Sequence, residues 1–151
     1  MLILSLLIGI VAGLRTMMAP TAISWAAACG ILALEGSWLA FLGWRFTPWI
    51  FTLLAIGELI ADQLPATPSR KVPPQFAARL ISGGLCGAAI GVGVGSWPLG
   101  LALGLIGALI GTLCGAAARA RLAAAFGRDW PAALIEDAVA ILAALAIVCA
   151  L

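Results

Sequence analysis

Between residues 2 and 34 the chain carries a single charged side chain, Arg15, in an apolar stretch that ends only at Glu35-Gly36-Ser37. As one unbroken helix this block would be about 50 Å long, far more than the roughly 30 Å hydrocarbon core of a bilayer. The segment must therefore tilt, break or re-enter. Gly13 and Pro20 bracket the expected break, because proline lacks an amide donor and collides with the preceding turn. A guanidinium inside such a block also needs a partner, since a charge at the bilayer centre costs about 3 kcal/mol on insertion scales.

The rest of the chain repeats the apolar character. Of 151 residues, 64% are hydrophobic and 9% charged, with a mean hydropathy of +1.20. A soluble domain cannot bury that much apolar surface, so the sequence reads as one all-helical integral membrane domain over residues 1 to 151. Eight basic against six acidic residues say little by themselves. No basic tail or basic-aromatic alternation is present, which argues against a nucleic-acid partner. Cys29, Cys86, Cys114 and Cys149 are far apart among apolar neighbours, no Cys-x-x-Cys occurs and histidine is absent. They read as buried free thiols, with no disulfide, metal site or cofactor expected. Ala-Ala-Ala-Cys-Gly around Cys29 has the look of a lipoprotein cleavage box, but no basic residue precedes the apolar run and Arg15 interrupts it. Residue 1 is accordingly kept as part of the mature protein.

Counting the first block once, about five spans are expected. Trp38 to Phe46 suits a short interfacial segment. The second span runs from about Pro48 to Leu64, and the proline-rich loop 65–74 divides the chain. The third covers about Gln75 to Gly95, the fourth about Leu99 to Ala118 with a basic end through Arg119 and Arg121, and the fifth Ala132 to Leu151. Arg70, Lys71, Arg79, Arg119, Arg121 and Arg128 collect on one side, with only Arg45 opposite. By the positive-inside rule the basic loops 65–74 and 119–130 are cytoplasmic, the amino terminus with them and Leu151 outside. A re-entrant hairpin or two spans within residues 2 to 34 would reverse the amino terminus and leave the basic loops in place.

Gly83, Gly87, Gly91 and Gly95 recur every four residues in the third span. The fourth carries Gly100 and Gly104, then Gly107, Gly111 and Gly115. Such stripes let helix backbones approach in lipid, where exclusion of water contributes little, and they predict glycine-zipper packing of these spans on each other or across a homo-oligomer interface.

Glu58 and Asp62 are four residues apart, on one face of the second span near its cytoplasmic end. Glu136 and Asp137 open the fifth span at the same level, and Arg79 lies one turn inside the third. Arg15, Glu58, Asp62, Arg79, Glu136 and Asp137 are therefore the candidate site, either as ion pairs holding the fold or as a proton or cation site. No serine has an evident base, and no phosphate loop or metal motif appears, so no catalytic constellation is assigned. A weak inverted repeat, residues 1–64 against 98–151, is suggested by Thr47-Pro48-Trp49 and Trp130-Pro131, each followed by acids.

Two stretches, GLRTMMAPTAISWAAACG from Gly13 and ELIADQLPATPSR followed by RLISGGLCGAA, resemble a bacterial family of small integral membrane proteins catalogued as domain of unknown function 4126. Gly13-Leu14-Arg15, then Glu58, Ala61, Asp62 and Pro65, then Arg79 with Gly83 and Gly84 match its pattern, over about the first 90 residues. The resemblance implies a membrane protein and brings no activity. The functional expectation is a small transporter or permease for an unknown solute or ion, with Arg15, Glu58, Asp62 and Arg79 lining a polar site and Glu136 and Asp137 closing it. The alternatives are a structural or scaffolding membrane protein, or a lipid-modifying membrane enzyme.

Overall fold

The structure, a computed structural model, describes residues 1–62 and 72–151. The described residues are helical, without a strand: α1 (Leu2–Leu14), α2 (Met18–Ala28), a 3-10 turn at Ala40–Gly43, α3 (Thr47–Ala61), α4 (Pro73–Val92), α5 (Trp97–Phe126) and α6 (Asp129–Ala150). Residues 65 to 71 of the expected loop, with Arg70, Lys71 and the expected end of the second span, lie outside them. Proline stands in the first turn of α3, α4 and α5, where its missing amide has no helical partner to lose. Gly127 ends α5 at φ 67°, a left-handed backbone that glycine adopts without a Cβ penalty.

The first block is a hairpin. A methyl group built on Gly93, just past α4, would lie 3.4 Å from Leu32 Cδ1 and 3.9 Å from Met1 Cε. Both ends of the block thus sit at one end of the molecule, and the chain reverses at Arg15–Met17. Pro20 lies in the first turn of α2 and Gly13 inside α1, so the break falls between the two residues expected to cause it. This changes the count based on a single traverse: α1 descends, α2 returns, and the amino terminus stands at the end opposite Arg119 and Arg128. At 13 and 11 residues the two arms are about 20 and 16 Å long, each too short to cross a bilayer alone. Among the described residues three helices, α4, α5 and α6, are long and apolar enough to do so.

α1, α4 and α5 form the centre, with α1 parallel and α4 antiparallel to α5. A methyl on Gly104 would overlap the carbonyl oxygen of Gly83 and sit 3.0 Å from Gly87 Cα, while one on Gly9 would strike the carbonyl of Gly104. Gly107 and Gly111 turn instead to α1, against the carbonyls of Leu6 and Ile10. Gly91 approaches the start of α5 and Gly115 is buried. Gly95 lies beyond the end of α4, at φ 68°, with nothing within 4 Å of an added methyl. It caps a turn rather than extending the stripe.

Small residues fill the interior: Ala12, Ala19, Ala26, Ala88, Ala89 and Ala108 have no exposed surface. Large apolar side chains face outward, with Leu53, Leu142 and Ile3 between 66% and 70% exposed. Trp25 and Trp49 meet edge to face, as do Trp38 and Trp97 at the end away from the basic residues. The cysteines depart from the buried expectation. Cys86 is buried, but Cys29, Cys114 and Cys149 are exposed free thiols, because their apolar neighbours form an outer surface and not a core.

Candidate functional site

The hairpin turn exposes backbone groups that neither helix can satisfy, and two charged side chains from other helices take them up. Glu58 of α3 accepts the amide of Thr16 on Oε1 and that of Met17 on Oε2, both at 2.8 Å. Arg79 of α4 donates from Nη1 to the carbonyls of Gly13 and Leu14, again at 2.8 Å. A carboxylate at the start of α2 and a guanidinium at the end of α1 also have the signs that the two helix dipoles favour. Ser82 Oγ donates to Thr16 O at 2.6 Å, and the Arg15 amide bonds Val11 O at 2.8 Å. The turn is therefore held from outside the hairpin. Arg79 Nη2 lies 3.9 Å from Glu58 Oε1, so the two capping groups are themselves neighbours.

The Arg15 side chain takes no part in this capping and is fully buried. Its Nη1 pairs with Asp62 of α3 at 2.5 Å and its Nη2 with Asp137 of α6. Arg119 of α5 completes the cluster. It grips Asp129 through Nε at 2.9 Å and Nη2 at 2.5 Å, donates from Nη1 to Asp62 at 2.5 Å, and lies 3.7 Å from Glu136. A forked hold of this kind suits the planar guanidinium.

All six candidate residues thus come together around the turn. Glu58 and Arg79 serve the backbone, while Arg15, Asp62, Asp137 and Glu136 join the arginine-linked group. Arg119 and Asp129 belong with them, although the sequence reading treated Arg119 only as part of a basic helix end. The missed signal was the alanine-rich run from Ala116 to Phe126, whose helix-forming residues carry α5 past the apolar segment and bring Arg119 opposite the start of α6.

A cleft of about 450 Å³ opens beside the turn, between α3 and α4. Thr16, Met17, Glu58 and Arg79 of the turn and its caps line it, together with Asp62, Gln75 and the apolar residues Leu53, Leu54, Gly57, Ala61 and Ala78. α3 leans on α2 and on the 3-10 turn and does not pack along α4, which leaves the cleft open laterally. A second, apolar pocket of about 280 Å³ shares Met17 and Ala78 with it and extends over Pro20, Phe41, Phe51, Ile81 and Leu85.

No protein-family model matches the chain. No curated protein and no solved structure is significantly similar to it.

Proposed function

We propose that the chain is a small permease of a bacterial cytoplasmic membrane, with Glu58 as its coupling carboxylate. The observation that carries the reading is the hairpin turn at Arg15–Met17, stabilised by Glu58 and Arg79 and open on one side to the α3–α4 cleft. Interrupted helices at membrane depth occur where backbone is buried in protein or lines a cavity, and their ends commonly serve substrate and ion sites. The outward leucines and isoleucines and the inward glycine, alanine and charge support a bilayer environment, as does the resemblance to family 4126.

In this reading α3, whose 15 residues are short of a full hydrocarbon span, passes from the outer face toward the basic end, the α1–α2 hairpin re-enters from the outer face, and the basic end is cytoplasmic. The close glycine approaches of α1, α4 and α5 form a glycine zipper within one chain. The Glu58 carboxylate accepts the Thr16 and Met17 amides and also lines the cleft, which links the coupling group to the α1–α2 turn.

The test is flux into proteoliposomes loaded with a pH-sensitive dye and challenged with organic cations and organic anions. Wild-type protein should show solute-dependent proton movement, and Glu58→Gln should fold and lose it. Unchanged pH-dependent flux in folded Glu58→Gln would remove the coupling role. A structural reading has its own support, because Glu58 and Arg79 already act as helix caps. It predicts no flux for any solute, with the variants altering stability alone.

A further inference from the structure

The two adjoining cavities differ in a way that defines an occupant. The α3–α4 cleft is lined by Glu58, Asp62 and Arg79 among aliphatic side chains, and the pocket beyond Met17 and Ala78 is apolar with two phenylalanines. Together they offer about 450 and 280 Å³, within the range of pockets that hold organic ligands. Of the two capping groups, Glu58 has the more accessible side chain, at 18% against 4% for Arg79. Each carboxylate oxygen has two lone-pair directions, and Oε2 accepts the Met17 amide. An incoming ligand therefore meets negative charge before positive charge. A small metal ion would need six or more oxygen ligands in the case of calcium, or a near-octahedral set for magnesium. Among the described residues no group of three or more acidic, histidine or cysteine side chains is placed to hold one.

Gly57 supplies an independent observation. It sits inside α3, where glycine is a poor helix former, yet an added methyl would meet nothing within 4 Å. Gly9, Gly83, Gly87 and Gly104 are small because a neighbouring backbone requires it. No such neighbour explains Gly57, and its missing side chain keeps the cleft wall open one residue from Glu58.

We propose that this composite cavity binds a monovalent organic cation with a hydrophobic body, the charge resting against Glu58 and the body extending past Met17 toward Phe41, Phe51 and Leu85. The inference deepens the permease reading by naming its substrate class and rests on it for the membrane setting. The cation is weakly hydrated, so aliphatic walls are tolerable, and Phe41 and Phe51 offer apolar contact to its body. Because the cleft opens sideways between α3 and α4, such a ligand enters from the surrounding lipid.

Binding of tetraphenylphosphonium to the full chain in lipid nanodiscs tests the site without requiring flux. Wild-type protein should bind it saturably with a dissociation constant below about 1 mM. Octyl sulfate, apolar but anionic, should not compete, and tetramethylammonium, cationic but without a large body, should compete weakly. Glu58→Gln should weaken binding roughly ten-fold or more. As Glu58 also caps α2, Gly57→Leu provides a second variant that fills the cleft wall while leaving the capping contacts untouched. It should fold and lose saturable binding. Absence of saturable binding to the wild type, equal competition by octyl sulfate, or wild-type affinity in folded Gly57→Leu would overturn the site. Saturable, Gly57-dependent binding without flux in proteoliposomes would uphold the site and overturn the permease reading. Cation flux that Gly57→Leu leaves unchanged would overturn the site and uphold the permease reading.

Discussion

Arg79 joins three parts of the chain through a few atoms. Its Nη1 satisfies the last carbonyls of α1, Nη2 faces Glu58, and the side chain is almost wholly buried. Removing it would take the Nη1 donor from the Leu14 carbonyl, leave the Gly13 carbonyl with the longer 3.4 Å bond from Thr112 Oγ1, and remove a positive neighbour from a partly buried carboxylate. Arg79→Met should lower unfolding stability by about 3 kcal/mol, the range for breaking a buried pair. Arg79→Lys should recover roughly half of the loss, because an ammonium keeps the charge without the planar fork. Thermal unfolding in detergent at a fixed lipid ratio would measure both, and wild-type stability in Arg79→Met would refute the capping role. The sequence already placed Arg79 at the depth of Glu58. What it did not contain was the direction of the contacts: a positive group near acids reads as an ion-pair partner, yet its shortest described bonds go to peptide carbonyls.

At the scale of elements, glycine has two opposite meanings that spacing alone does not separate. Gly83, Gly87 and Gly104 lie where α4 and α5 approach to backbone contact, and Gly95 belongs to the same four-residue series while serving a turn. Gly104→Ala forces the new methyl into the Gly83 carbonyl, so the helices must separate, at a cost of about 1–3 kcal/mol. Gly57→Ala occupies open space and should stabilise α3 by up to about 1 kcal/mol through helix propensity. Opposite signs in one thermal-unfolding series are the expected result, and destabilisation by both would mean that Gly57 packs against something. The helix break shows a similar limit. Gly13 and Pro20 marked the region, but proline is harmless in a first turn, and the reversal is fixed by Glu58 and Arg79, whose distance along the chain hides their role.

For the whole molecule, the parity of the first block decides which termini share a side. A single traverse of residues 2 to 34 would place the amino terminus beside Arg128, whereas the α1–α2 hairpin places it with Leu32 and Gly93, at the other end. Hydrophobicity could not choose between these, since an overlong apolar block is compatible with a tilted span and with a hairpin. The charge distribution could locate the basic end, because Arg79, Arg119, Arg121 and Arg128 separate from Arg45 under either parity. The acids of α3 and α6 also meet at one end, whereas an inverted pair of units would place equivalent acids at opposite ends. Topology can be tested in a cysteine-free background with an impermeant maleimide applied to spheroplasts. Glu35 and Arg128 are both exposed, so Glu35→Cys and a cysteine added ahead of Met1 should label from outside, and Arg128→Cys only after permeabilisation. Labelling of the amino-terminal cysteine together with Arg128→Cys would mean that the first block crosses once. That result would remove the hairpin, and with it the turn on which Glu58 and Arg79 converge.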